Sequence, residues 1–209
     1  MRKIIPAVLE KNVEIANERI KQFEKLSKII QIDIADGRFV KNKTFSANDI
    51  KKIKSKSSLE FHLMVENPEK YIVTIKKSSL IVVHCEIKDF VKYIDKIKNK
   101  KIDAGAAINP NTNIKKLIPA IKKIKKVIVL CVIPGWQGAK FMPSALKKIK
   151  QIKKLNKKII IQVDGGINEK TIKLAEKAGA DEFIVGSALI KAKDIKKEFN
   201  LLSKGGKNG

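Results

Sequence analysis

Three residues that could carry acid–base and metal chemistry stand where apolar stretches of the chain give way to polar ones. Asp33 follows IIQI, His62 lies in FHLM, and Asp164 follows IIIQV. Two carboxylates on opposite sides of a pocket could act on opposite faces of one substrate carbon, one removing a proton and the other returning it. A histidine between two aspartates is a set of side chains that binds divalent metals. Together they favour a catalytic site over three separate capping or hydrogen-bonding side chains.

Glycines cluster in the same kind of position, after three later apolar runs. The segments PGWQG, DGG and GS contain Gly135, Gly138, Gly165, Gly166, Gly186 and Ser187. Glycine leaves backbone N–H groups accessible, and such groups ahead of a helix form a cradle for anions. We therefore predict a phosphate site here, with turn geometry alone as the alternative explanation for each glycine pair.

The alternation of segments along the chain predicts the scaffold that would bring these residues together. Short β-branched runs alternate with amphipathic, lysine-rich segments, which is typical of successive βα units. Strands are predicted at 3–8, 29–34, 59–64, 80–85, 102–108, 126–132, 158–163 and 182–185. Helices are predicted at 11–26, 46–54, 68–77, 88–99, 112–123, 141–154, 168–178 and 187–199.

Eight such units predict an α/β protein with one domain, a single (β/α)8 TIM barrel over residues 1–202, followed by a disordered tail at 203–209. In such a barrel the active site lies at the carboxyl ends of the strands, and the strand interiors are expected to be apolar. A doubly wound open sheet is the alternative. That fold normally has a glycine-rich turn after its first strand, whereas the segment PAVLEKN contains no glycine.

Other conspicuous side chains are assigned to packing. His84 is interpreted as a buried or supporting histidine rather than a ligand, and Phe61 and Met64 as packing residues. Trp136, the one tryptophan, lies between two glycines and could either cover the barrel mouth or pack across it.

Composition excludes several classes of protein. With 44% hydrophobic and 32% charged residues, the chain is neither disordered nor collagen-like. Cys85 and Cys131 lie in apolar stretches without metal-ligand spacing, so we expect free thiols and a reducing cytoplasm. We see neither a signal peptide nor a run of about 18 apolar residues, so we expect no export and no membrane span.

The net charge of +25 would suit a nucleic-acid binder, but the type of basic residue argues against it. Arg2, Arg19 and Arg38 are the only arginines among 46 basic residues. Proteins that read nucleic acids favour arginine because its guanidinium makes bidentate contacts. Lysines are instead spread over every predicted helix, so nucleic acid is not an expected partner.

Taken in order, the motifs resemble those of the ribulose-phosphate 3-epimerase family. The matching segments run from about residue 4 to about residue 190 and read PAVL, QIDIADGRFVKN, FHLMVENPEKYI, VVHCE, AINPNT, PGWQGAKFMP, QVDGGIN and AGADEFIVGSAL. The resemblance implies a ribulose-phosphate binding barrel and a cytoplasmic, homo-oligomeric enzyme of the pentose phosphate pathway. Such an enzyme interconverts D-ribulose 5-phosphate and D-xylulose 5-phosphate.

The resemblance also implies roles for individual residues. Asp33 and Asp164 would be the acid–base pair that inverts C3 through an enediolate. A divalent cation (zinc, iron(II), manganese or magnesium) would stabilise that enediolate, bound by Asp33, His62, Asp164 and the residue at position 31. The substrate-binding set would be His62, Gly135, Trp136, Gln137, Gly138, Asp164, Gly165, Gly166, Gly186 and Ser187.

Several residues depart from the family pattern. Gln31 stands where the family has a histidine ligand, and an amide oxygen favours harder cations than an imidazole nitrogen does. Ala7, Ala35 and Lys41 replace a serine, a methionine and a proline. Three functions therefore stay open: the epimerase, an enzyme of the same fold that uses another ketose phosphate or no metal, and a non-catalytic phosphosugar-binding protein.

Overall fold

The computed structural model describes residues 1–135 and 139–205. Eight parallel strands form a closed barrel, in which each strand pairs with the next and β8 pairs with β1. The strands are β1 Lys3–Val8, β2 Ile29–Ala35, β3 Ser58–Met64, β4 Leu80–His84, β5 Asp103–Ile108, β6 Lys126–Leu130, β7 Ile160–Asp164 and β8 Glu182–Val185. The predicted (β/α)8 TIM barrel is confirmed, and closure of the sheet excludes the doubly wound alternative.

Helical segments follow the strands on the outside of the barrel. The α-helices are α1 Val13–Phe23, α2 Glu69–Thr74, α3 Phe90–Asn99, α4 Lys147–Leu155, α5 Thr171–Lys177, α6 Ser187–Ile190 and α7 Ile195–Ser203. Short 3-10 helices lie at Asp49–Lys52, Ile114–Ala120 and Pro143–Leu146. None of the helices in the described ranges is long and apolar enough to cross a bilayer.

Three of the predicted helices differ most from the observed ones in type or extent. The helix expected at 46–54 is a single 3-10 turn, because the Asp49 carboxylate accepts hydrogen bonds from the Ser46 backbone and hydroxyl and folds this segment into a tight turn. The helix expected at 112–123 is also 3-10, with Pro119 inside it lacking the N–H that an α-helix requires. The helix expected at 187–199 is divided, since Asp194 caps a new helix by accepting from the Lys197 N–H.

The chain ends close to the predicted domain boundary. α7 ends at Ser203, one residue beyond the expected limit of the barrel domain at 202. Residues 206–209 of the predicted tail lie outside the described residues, so the disorder of 203–209 stays a prediction. Cys85 and Cys131 are buried free thiols, as expected.

The period-two alternation of the strands decides which side chains enter the barrel. Along β2, Ile30, Ile32 and Ile34 pack in the large core with the helices. Gln31 and Asp33 alternate with these isoleucines along the strand, so their buried side chains point to the interior of the barrel. The middle of the interior is filled by a small apolar cluster of Ile5, Ala7, Leu80, Val82, Ala107, Ile128, Leu130 and Ile184.

The expectation of apolar strand interiors is wrong towards the amino ends of the strands. Glu60, Lys126, Gln162 and Glu182 are buried there against one another, and we call these four residues the basal ion cluster. Lys126 Nζ lies 2.5 Å from Glu60 Oε1 and 2.8 Å from Glu182 Oε2. Gln162 Nε2 donates to the same two carboxylates at 2.7 and 2.8 Å. Charged residues are tolerated in this interior because each finds a partner of opposite charge or a hydrogen-bond donor.

Candidate active site

Asp33, His62 and Asp164 meet at the carboxyl end of the barrel. Asp33 and His62 are paired neighbours on β2 and β3, and Asp164 ends β7. His62 Nδ1 lies 3.0 Å from Asp33 Oδ1 and 3.8 Å from Asp164 Oδ2. One ligand atom from each residue lies within 4.8 Å of the others, a spacing that allows one cation to contact all three.

Gln31 places its amide between the two carboxylates. Its Nε2 donates to Asp33 Oδ1 at 2.7 Å and to Asp164 Oδ2 at 3.4 Å. Its Oε1 is buried without a hydrogen-bond partner among the described residues. A rotation of the amide by half a turn would exchange the two groups and present Oε1 to the carboxylates, so the side chain can either bridge them or offer an oxygen ligand to a cation.

Burial and a neighbouring negative charge change the acidity of Asp164. Burial, reinforced by the charge of Asp33, raises the pKa of Asp164 from 3.8 to about 7. A carboxyl group with this pKa can hold a proton near neutral pH and act as a general acid.

A pocket at the barrel mouth joins these residues to the predicted phosphate loops. Its lining includes Asp33, His62, Asp164, Gly135, Gly165, Gly166, Gly186 and Ser187. The remaining members of the predicted substrate-binding set, Trp136, Gln137 and Gly138, lie outside the described residues.

Two of these glycines are required by the backbone itself. Gly165 has φ +97°, and a Cβ there would lie 2.4 Å from Val132 Cγ2. Gly135 has φ +111°, and a Cβ there would lie 2.9 Å from Val40 Cβ. Turn geometry therefore explains glycine at these two positions whether or not an anion binds. This is the alternative explanation that the sequence analysis gave for each glycine pair.

The side chains assigned to packing divide between core and pocket. Phe61 is buried in the large core, as expected. Met64 packs on Ala35 and Val40, but it also lines the pocket, so packing is only part of its environment. Ala7, one of the departures from the family pattern, lines the same pocket.

Behind His62 lies a second buried histidine, in the supporting position expected of it. His84 Nε2 is 2.9 Å from His62 Nε2, and His84 Nδ1 is 3.2 Å from Glu86 Oε2. Burial lowers the pKa of His84 to about 4. The sequence patterns did not identify Glu86 as a supporting residue. The available signal was its position two residues after His84, which ends β4.

The family profile described as "Ribulose-phosphate 3 epimerase family" matches residues 3–190. The chain belongs to this family. The ribulose-phosphate 3-epimerase of Bacillus subtilis is 33% identical over 208 residues, which cover 94% of this chain and 96% of the relative. The cytoplasmic isoform of ribulose-phosphate 3-epimerase from rice is 32% identical over 200 residues, which cover 91% and 88%.

Solved structures outside the epimerase family share the fold. The 3-keto-L-gulonate-6-phosphate decarboxylase of Vibrio cholerae superposes with a TM-score of 0.70 at 15% identity and covers 96% of this chain and 95% of that one. The 3-hexulose-6-phosphate synthase of Salmonella typhimurium superposes with a TM-score of 0.68 at 16% identity, covering 96% of each chain. These likenesses concern the barrel alone.

Proposed function

We propose that this member of the epimerase family interconverts D-ribulose 5-phosphate and D-xylulose 5-phosphate. The observation that carries the proposal is the pair of carboxylates, Asp33 and Asp164, contributed by two different strands to one pocket. The proposal includes a cytoplasmic location and a homo-oligomeric assembly, both of which rest on the family resemblance.

In the proposed reaction each aspartate handles one proton at C3. Asp33 removes the proton from C3 of the ketose, which leaves an enediolate. Asp164 delivers a proton to the opposite face of C3 and inverts the stereocentre. The reverse reaction exchanges the two roles.

The residues present fit a divalent cation. Two carboxylates converge on one imidazole nitrogen, and this concentration of negative charge in a largely buried site is suited to a bound cation. Asp33, His62 and Asp164 would hold the ion, and Gln31 would join them through Oε1 after its amide rotates. When bound, the cation supplies Lewis-acid stabilisation of the negative charge that develops on the substrate. Zinc, iron(II), manganese and magnesium are the candidates.

The phosphate is proposed to bind at the glycine-containing loops on the same side of the pocket. Gly165, Gly166, Gly186 and Ser187 line it, and backbone N–H groups in such loops bind phosphate oxygens in barrels of this type. Gly135 lines the same pocket and belongs to the proposed cradle, while Trp136, Gln137 and Gly138 stay predictions from the sequence.

Exchange of the C3 proton tests the proposal. D-ribulose 5-phosphate in deuterated water would be incubated with chelator-treated protein, and zinc, iron(II), manganese or magnesium would be added back. We expect deuterium at C3 together with xylulose 5-phosphate, and the most effective ion identifies the metal. Protein that binds the sugar phosphate but gives no exchange with any of these ions would contradict the proposal.

A second candidate is epimerisation of another ketose phosphate, which the replacement of a pocket serine by Ala7 favours. The same exchange assay with a panel of ketose phosphates distinguishes the two. A faster exchange with another sugar than with D-ribulose 5-phosphate would make that sugar the substrate.

Replacing Gln31 with histidine is expected to tighten zinc binding by roughly 10-fold or more, because a neutral imidazole nitrogen is a better zinc ligand than an amide oxygen. Competition with a chromophoric chelator measures the affinity. The control is Gln151→His, which adds an imidazole on the exposed face of α4 and is expected to leave the affinity unchanged. Equal zinc affinity in the wild type and the Gln31 variant would mean that position 31 does not face the ion.

A further inference from the structure

A line of hydrogen bonds leads from His62 away from the pocket. It runs from His62 Nε2 to His84 Nε2 over 2.9 Å, and from His84 Nδ1 to Glu86 Oε2 over 3.2 Å. Both imidazoles are at most 1% exposed. We call these three residues the histidine relay. None of the roles proposed above uses its last two members.

The contact between the two rings is a hydrogen bond made edge to edge. Their planes lie within 19° of each other and their centroids are 5.0 Å apart, while the nearest nitrogens are only 2.9 Å apart. The N–H of one ring therefore lies in the plane of the other, where the nitrogen lone pair is. Only one proton can occupy this bond, so one Nε2 donates and the other accepts.

Glu86 decides which nitrogen donates. An ionised carboxylate can only accept, and Glu86 already accepts from the Asn109 N–H at 2.8 Å through its other oxygen. His84 must then carry its proton on Nδ1 and donate it to Glu86. A fully buried imidazole favours the neutral form with a single proton, so Nε2 of His84 is bare and accepts from the Nε2–H of His62.

Each direction places two acceptors against each other at one end of the relay. In the favoured direction they are His62 Nδ1 and Asp33 Oδ1, 3.0 Å apart, and a cation bound between them removes the repulsion. If His84 donated from Nε2, its Nδ1 lone pair would face the Glu86 carboxylate at 3.2 Å in a buried site. His62 would then carry its proton on Nδ1, the nitrogen that faces Asp33 and Asp164, and that nitrogen could not bind a cation.

We infer that Glu86 and His84 are positioning residues, which fix the ring of His62 and keep its Nδ1 lone pair for the cation of the active site. Neither residue lines the pocket that contains Asp33, His62 and Asp164. The inference rests on the proposed metal-dependent function, to which it adds the residues that set the tautomer of the imidazole ligand.

Nuclear magnetic resonance can observe both tautomers directly, because the chain contains only two histidines. Long-range proton–nitrogen correlation spectra would be recorded on protein labelled with nitrogen-15 histidine, metal-free and loaded with zinc. We expect the zinc-loaded spectrum to show His84 as the Nδ1–H tautomer and His62 as the Nε2–H tautomer. Zinc-loaded protein with the His84 proton on Nε2 would overturn the inference.

Variants at position 84 add a second readout. His84→Leu is expected to weaken zinc binding by about 10–100-fold, whereas His84→Gln, whose amide oxygen can accept from His62, is expected to stay within about threefold of the wild type. Phe39→Leu serves as the control for lost packing, since the Phe39 ring contacts His84 at 4.4 Å between centroids but belongs to no hydrogen bond of the relay. A folded His84→Leu variant with wild-type zinc affinity would refute the inference; if that variant fails to fold, the spectra decide.

The tautomers and the zinc affinities are measured without substrate, so the two proposals can fail separately. If C3 proton exchange occurs but His84 has the other tautomer, the epimerase proposal is supported and the positioning role of His84 is contradicted. If the tautomers and zinc affinities are as expected but no exchange occurs, the positioning role is supported and the epimerase proposal is contradicted.

Discussion

Asp164→Asn is expected to slow C3 proton exchange by at least about 10²-fold to 10⁴-fold, because an amide cannot transfer the proton that the carboxyl group delivers. The same substitution is expected to make the metal-free protein more stable at pH 8. Exchange assays and thermal unfolding in the presence of a chelator measure the two effects. Near-normal exchange in the variant would mean that Asp164 does not transfer a proton in the reaction.

The stability gain follows from the raised pKa of Asp164. Below about pH 4 the carboxyl group is protonated in both the folded and the unfolded chain, since its usual pKa is 3.8. Between about pH 4 and pH 7 the unfolded chain releases this proton while the folded chain keeps it, so stability falls over that range and stays at the lower level above about pH 7. A shift of this size corresponds to a penalty on the order of a few kcal/mol above pH 7, which asparagine does not incur.

The pH dependence separates this effect from an ordinary change in packing. The difference in melting temperature between Asp164→Asn and the wild type should be large at pH 8 and shrink towards pH 4. Asp103→Asn, at the start of β5 with its carboxylate in a surface ion pair with Lys125, is the matched control and should show no such trend. A constant difference at all pH values would mean that the Asp164 carboxyl does not hold its proton in the folded state.

Lys126→Met is expected to lower the free energy of unfolding by about 3–5 kcal/mol, because it removes the cation paired with buried Glu60 and leaves buried Glu182 with Lys3 as its cation. Glu60 and Glu182 are 2% and 3% exposed, so water cannot replace the lost partner. Denaturant unfolding at pH 7 measures the loss, and a second substitution, Glu60→Gln, should recover part of it.

The neighbouring lysine provides the control for this prediction. Lys125 is exposed and pairs with Asp103 on the surface, so Lys125→Met should change the stability by no more than about 1 kcal/mol. Equal losses for the two lysine variants would show that the basal ion cluster contributes no more than a surface pair. Lys126→Met protein that remains folded should retain C3 exchange, since apolar side chains separate the cluster from the pocket.

The sequence was sufficient for the barrel and for the central residues of its pocket, because both follow from local patterns. All eight predicted strands overlap the observed ones, since β-branched runs and the lysine-rich segments between them are visible in the chain itself. The sequence could predict that Asp33, His62 and Asp164 lie close together, because parallel strands in a barrel present their carboxyl ends at one face. Their roles in the reaction stay predictions.

The features that the sequence did not reveal depend on contacts between distant segments. Lys126 follows a lysine-rich stretch and looks like another solvated lysine until closure of the barrel places Glu60 and Glu182 beside it. Glu86 looks like a polar residue at a strand end until His84 is seen to connect it to His62. Pairing of this kind is decided by strand register and barrel closure, which no local pattern contains.

The apolar layer inside the barrel separates two polar regions that have different tasks. Residues such as Ile128 and Ile184 lie between the basal ion cluster and the pocket. The cluster contributes to the stability of the fold, and the pocket contains the proposed catalytic residues. Changes in groups that share no partner add independently in free energy, so a double variant at Lys126 and Asp164 should show the sum of the single effects. Evolution can therefore alter the mouth, as at Gln31 and Ala7, and try new ligands and sugars there while the opposite end of the barrel maintains the fold.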